Sequence, residues 1–183
     1  MTKRLLIGMV ILASVVRGGT ISVTPSPVEV SVGSSFNVNV AVDSVADLFA
    51  FQFDVIFDPT LVQALDVTEG TFLGAGGVTL FIPGSIDNIG GSISFVADSL
   101  IGPVSGVSGS GVLASLSFQA LTQGTSPLVL SSPILLDSQS FMIEAGTGNG
   151  VVNIAAVPEP GTLVAFLAGC LVLAFQARFR VRR

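Results

Sequence analysis

Phe49-Ala50-Phe51-Gln52-Phe53-Asp54-Val55-Ile56-Phe57-Asp58-Pro59 decides the fold of this chain. Successive side chains of a β-strand point to opposite faces. Phe49, Phe51, Phe53, Val55 and Phe57 therefore share one face, and Gln52 and Asp54 share the other. A helical period would scatter the five large residues around a cylinder; a period of two buries them together. Upstream, Val28, Val30 and Val32 alternate with Glu29 and Ser31, and Phe36, Val38, Val40 and Val42 alternate with Asn37, Asn39 and Asp43. Downstream, Ile93 and Phe95 alternate with Ser92 and Ser94, and Val112, Ala114, Leu116, Phe118 and Ala120 repeat the period. Turn residues break the runs: Gly33-Ser34, Asp58-Pro59, Gly74 to Gly77, Gly90-Gly91, Gly102-Pro103, Gly109 to Gly111 and Gly146 to Gly150. Short strands at this spacing predict an all-β, two-layer sandwich over about 20–155. Ten of the thirteen phenylalanines fall in it, with no Tyr or Trp, which fits a wide apolar core between two sheets. Phe36, Phe51, Phe53, Val55, Phe95, Leu116 and Phe118 are expected inside.

Charge divides the 183 residues into three parts. Lys3, Arg4 and Arg17 lie at the front, and Arg178, Arg180, Arg182 and Arg183 at the back; all twelve acidic residues lie between Glu29 and Glu159. A middle with no Lys or Arg cannot neutralise phosphate, so nucleic acid is excluded as a partner. At the front, two basic residues precede the apolar run Leu5–Val16, the layout of a secretory signal peptide over 1–18, with a cut after Gly18. An uncleaved anchor is the alternative. At the back, a run of weakly polar residues over about 161–177 predicts one C-terminal transmembrane helix, short for a span of roughly 17–25 residues. The terminal arginines Arg178, Arg180, Arg182 and Arg183 are the expected cytoplasmic stop signal, which puts the acidic middle outside.

The tail reads Val157-Pro158-Glu159-Pro160-Gly161-Thr162-Leu163, then an apolar segment containing Gly169, then the arginines. It resembles the PEP-CTERM sorting signal of Gram-negative bacteria, over 157–183. The resemblance implies that Pro158, Glu159 and Pro160 form the sorting motif recognised by the membrane enzyme exosortase. It also implies an inner-membrane anchored precursor whose tail is removed on the way to the outer envelope or extracellular matrix. A plain tail anchor behind a Pro-rich linker is the alternative.

The middle carries a second likeness. Val32-Gly33-Ser34-Ser35-Phe36-Asn37-Val38, Phe51 to Val62, Gly91-Ser92-Ile93-Ser94-Phe95 and Gly111 to Phe118 follow in order and spacing. In these the chain resembles the cohesin family. The resemblance implies a jelly-roll sandwich of about nine strands, related to some carbohydrate-binding modules. Its members bind dockerin modules through one sheet face, and the family is also used outside cellulosomes. The implied function is a non-catalytic interaction or structural protein of the envelope, with a dockerin-like module or exopolysaccharide as partner. A carbohydrate-binding module is the alternative, against which stands the lack of Trp and Tyr for sugar stacking.

Catalytic chemistry is hard to assemble from these residues. There is no histidine, and Cys170, the single cysteine, lies in the tail. This removes Ser-His and Cys-His pairs and leaves no thiolate in the sandwich. Gly74-Ala75-Gly76-Gly77 lacks the lysine and the strand-to-helix setting of a phosphate loop and reads as a sandwich loop. Neither cofactor nor catalytic residue is expected. Carboxylate pairs four apart, Asp43 with Asp47 and Asp54 with Asp58, are the calcium candidates; calcium needs 6–8 oxygens, and no EF-hand supplies them. The other reading of Asp58 is the cap of the Asp-Pro-Thr turn.

Overall fold

The computed structural model describes residues 19–156. Ten strands follow in order: β1 Gly19–Thr24, β2 Val28–Ser31, β3 Ser35–Ile56, β4 Val62–Glu69, β5 Ser85–Asp87, β6 Ser92–Ser99, β7 Val107–Ala120, β8 Gly124–Asp137, β9 Ala145–Gly148 and β10 Gly150–Ala155. A single 3-10 turn, Leu73–Gly76, lies in the glycine-rich stretch and buries Leu73. The all-β sandwich is as the alternation predicts. The candidate signal peptide, the sorting motif Pro158-Glu159-Pro160, the terminal arginines and the C-terminal helix lie outside the described residues.

Two of the alternating runs, Phe36 to Val42 and Phe49 to Val55, lie on one continuous strand of 22 residues. Its first half pairs with β1 and β7; its second half pairs with β6 and β8. One layer is therefore β4, β7, the first half of β3, β1 and β9. The other is β5, β6, the second half of β3, β8, β10 and β2. β3 turns the corner between them. The inward residues are Phe36, Val38, Val40 and Val42 before the corner and Phe51, Phe53 and Val55 after it, so the strand changes frame. The change occurs at Ser44 and Asp47, whose φ values are 57° and 56°. Short polar side chains tolerate this left-handed region better than the valines and phenylalanines around them. The corner is tied to β7: Ser110 Oγ accepts the Ser44 N–H, and Ser108 Oγ accepts the Asp47 N–H.

Both layers feed one core. Phe118 of the first layer stacks on Phe36 (5.7 Å between ring centroids) and meets Phe57, beyond the end of β3, edge-on at 5.4 Å. Six of the seven residues expected inside are buried. Phe95 is the exception, 51% exposed with φ 60°. Phe53 pairs with Val96 and Val55 with Ile93, so Ser94 and Phe95 together oppose Asp54. This β-bulge adds one residue to β6 and exchanges the faces of everything after it. Val96 takes the core place expected for Phe95. Asp54 holds the bulge, its Oδ1 accepting the Phe95 N–H at 2.7 Å. Gly84 lies against the same bulge: a Cβ there would stand 2.4 Å from the Ser94 carbonyl oxygen.

Candidate functional site: a groove on an acidic sandwich

The outer face of the second layer carries a groove. Pairing places Ser99, Ala50 and Leu136 in one row across the sheet and Ala97, Gln52 and Ile134 in the next. The small residues of β6 and β3 form the floor. Ile134 and Leu136 of β8 rise on one side. On the other, a strap over residues 78–82 lies along the part of the β6 edge that β5 leaves uncovered, and Leu80 and Ile82 form the second wall. The strap is held by backbone bonds from the Leu80 N–H to the Ser99 carbonyl (2.8 Å) and from the Ile82 N–H to the Ala97 carbonyl (2.7 Å). The space enclosed is about 310 Å³ and open to solvent. Its walls are aliphatic, and its floor also carries the Gln52 amide and Ser99, with Phe51 and Asp98 bordering it.

At the base of the strap lies a pair of carboxyl groups. The bulge turns Asp98 inward, leaving it 3% exposed. Its Oδ1 accepts the Ser99 N–H at 2.8 Å, while Oδ2 is sealed from solvent with no donor among the described residues. Glu69, at the end of β4, faces it, and Glu69 Oε1 accepts the Thr79 hydroxyl at 2.6 Å. Burial, and secondly the Glu69 charge, push the Asp98 carboxyl up to about 6, against the opposing Ser99 N–H.

The calcium candidates are placed apart, each on a different backbone task. Asp43 accepts the Ser110 hydroxyl. Asp47 accepts the Ser138 hydroxyl at 2.6 Å and the Gly106 N–H at 2.7 Å, tying two loops to the corner; these bonds, Ser138 first, hold its carboxyl below the usual range. Asp54 holds the β6 bulge. Asp58 caps its turn, accepting the Thr60 hydroxyl at 2.6 Å and the Thr60 N–H at 2.9 Å, which lower it in the same way. Among the described residues no three acidic side chains gather as a metal cluster. The sequence reading missed Glu69, Asp98 and the groove. Counting alternation from Ile93 and Phe95 turns Asp98 outward; the bulge that reverses it has no signal beyond Pro83-Gly84 opposite.

Electrostatically the domain has one sign. Residues 19–156 hold eleven of the twelve acidic residues and no Lys or Arg. A protein surface complementary to the groove has an apolar ridge with basic residues at its margin.

Comparison with known proteins places this architecture. A family model described as "Cohesin domain" matches residues 21–154. No curated protein matches the chain. Among solved structures, a non-cellulosomal cohesin from the archaeon Archaeoglobus fulgidus is 17% identical, with TM-score 0.59 over 75% of this chain and 91% of that one. The sixth cohesin of Acetivibrio cellulolyticus scaffoldin B, solved with a Cel5 dockerin, is 22% identical, with TM-score 0.58 over 75% and 99%. A Clostridium thermocellum OlpC cohesin, solved with the dockerin Doc435, is 16% identical, with TM-score 0.62 over 75% and 95%. At these identities the structures share the fold, and the family match spans the sandwich almost end to end: the chain belongs to the cohesin domain family of non-catalytic interaction modules.

Proposed function

We propose that this chain is an exported, non-catalytic binding protein of the cell envelope that takes a dockerin-like protein module on the groove face of its second layer. The groove carries this reading: a trough with aliphatic walls and few polar groups, on a domain without a basic residue, suits a protein ridge flanked by Lys or Arg. Dockerin is the partner in the scaffoldin B and OlpC complexes. The ends of the chain support export. A signal peptide over 1–18 delivers the sandwich outward, the tail holds it at the inner membrane, and exosortase acts at Pro158-Glu159-Pro160 before sorting to the outer envelope or matrix.

The test is surface plasmon resonance on the immobilised full-length chain, against the dockerin modules encoded in the same genome and against the producing strain's exopolysaccharide. Binding of at least one dockerin supports the proposal. Retention of the polysaccharide with no dockerin bound transfers the groove to the carbohydrate-binding alternative. For sorting, Glu159→Ala should leave folding and export intact and accumulate a heavier, membrane-bound form. Equal mass and location of wild type and variant in a host with exosortase would favour the plain tail anchor.

A further inference from the structure

One side chain on the groove face is out of keeping with its backbone. Among the described residues, those other than glycine with positive φ are Ser44, Asp47, Ser132 and Ser140, all short and polar, and Phe95, at φ 60°. A left-handed backbone strains a bulky residue, while Gly or Asn adopts it readily. The Phe95 ring offsets little of that strain by packing. It is half exposed and stands outside the hydrophobic core, where Val96 fills the place. Reversing the faces of β6 needs only one extra residue here, and Asn would supply it with less strain.

The bulge that displays Phe95 is supported from two sides. Asp54 Oδ1 accepts its N–H, and Gly84 lets the neighbouring chain come so close that a Cβ there would meet the carbonyl oxygens of both Ser94 and Phe95. Asp54 pairs with Ser131 on its other side, so Phe95, Asp54 and Ser131 make the row that follows Ala97, Gln52 and Ile134. Rows on one face lie about 7 Å apart. The ring therefore stands on the groove's own face, one row beyond its floor, with a carboxylate beside it. Asp54 uses Oδ1 on the bulge, and its Oδ2 accepts no hydrogen bond among the described residues. Residues 19–156 hold no Lys or Arg to neutralise it. An exposed ring beside an unpaired carboxylate suits an Arg or Lys side chain, whose stem lies on the ring while its head reaches the carboxylate.

We infer that Phe95 is the aromatic anchor of the docking face: the bulge holds its ring outward beside Asp54, and the two together receive an Arg or Lys side chain of the dockerin-like partner next to the groove. The inference rests on the groove being the docking face and names the residues that select a basic partner there. Backbone strain retained at an exposed aromatic fits a residue kept for binding at the expense of stability. Desolvated aromatic and arginine contacts of this kind dominate the affinity of protein interfaces.

Calorimetric titration and thermal melting of the full-length chain test this together, with the dockerin modules of the same genome as probes. Phe95→Asn removes the ring and puts in a residue that accepts the left-handed backbone; it should weaken binding about 30-fold or more. Phe95→Tyr, which keeps an aromatic ring, should bind within about threefold of wild type. Asp54→Asn, whose amide oxygen still accepts the Phe95 N–H, should lose about fivefold and much of the dependence on salt. Melting reads the strain without a partner. Phe95→Asn should melt about 2–4 °C above Phe95→Ala, since both lack the ring and Asn alone of the two suits this φ. Equal melting of these two variants overturns the strained display. Dockerin binding by Phe95→Asn at wild-type strength, or an equal loss in Phe95→Tyr, overturns the anchor and leaves docking on the groove standing. No dockerin bound by the wild type overturns docking and the anchor with it. Exopolysaccharide retained by the wild type and lost in Phe95→Asn overturns the protein partner and makes the ring a sugar platform.

Discussion

Four carboxyl groups of the domain give its stability two opposite pH dependences. Asp47, Asp58 and Asp87 are held below the ordinary range, Asp87 by the Gly90 and Ile89 N–H groups. They bind fewer protons folded than unfolded, so the stability they add is present above the unfolded value of about 3.8 and is lost as pH falls through their folded values. Asp98 works the other way. Its folded value is about 6, so it binds more protons folded than unfolded, and its contribution is full below about 3.8 and lost as pH rises through 6. The shift is worth on the order of 3 kcal/mol. Urea denaturation should show maximal stability near pH 4–5 and a decline towards 7 that Asp98→Asn abolishes. A wild-type curve flat from pH 4 to 7 would contradict the raised carboxyl of buried Asp98. Phenylalanines divide as sharply: Phe53→Ala should cost roughly 3–5 kcal/mol, while Phe95→Ala, on the outside, should stay within about 1 kcal/mol. Similar costs for both would contradict the bulge.

At the scale of elements, β6 and its partners explain where sequence reading ends. The Phe51 to Phe57 alternation was legible because large apolar side chains repeat without interruption on a strand buried on one face. The corner of β3 was not, since Ser44 and Asp47 look like any polar break between strands. In β6 one extra residue moved Phe95 out and Asp98 in, and with them the carboxyl pair, because the period of two carries no memory of its phase across a bulge. The groove required knowing that Ala50, Ala97 and Ser99 become neighbours, a fact of pairing register. Tight backbone approach marks the same region. Gly91 has φ 72°, and a Cβ there would lie 2.3 Å from the Phe57 carbonyl oxygen, beside the bond from the Phe57 N–H to the Gly91 carbonyl. Gly91→Val should therefore cost about 1–3 kcal/mol from backbone strain alone, before the clash. A melting temperature equal to wild type would contradict this turn.

At the scale of the whole molecule, residues 19–156 form a cohesin-family sandwich of one charge sign with a largely aliphatic groove on one face. Acidic surroundings act over distances of about 10 Å at 0.1 M salt, so they speed and orient encounter with a basic partner, and added salt should slow association more than dissociation. Groove contacts, desolvated on docking, should govern the lifetime of the complex. The two faces separate in mutagenesis. Ile134 stands in the groove wall, and Leu65, 44% exposed on β4, belongs to the opposite layer. The decisive measurement is calorimetric titration of wild type, Ile134→Glu and Leu65→Glu with the dockerin modules of the same genome at pH 5. Docking on the groove predicts a wild-type Kd of about 1 μM or tighter for at least one dockerin. It also predicts a loss of about 100-fold for Ile134→Glu and little change for Leu65→Glu. Undiminished binding by Ile134→Glu, or no binding by the wild type to any of them, would contradict it.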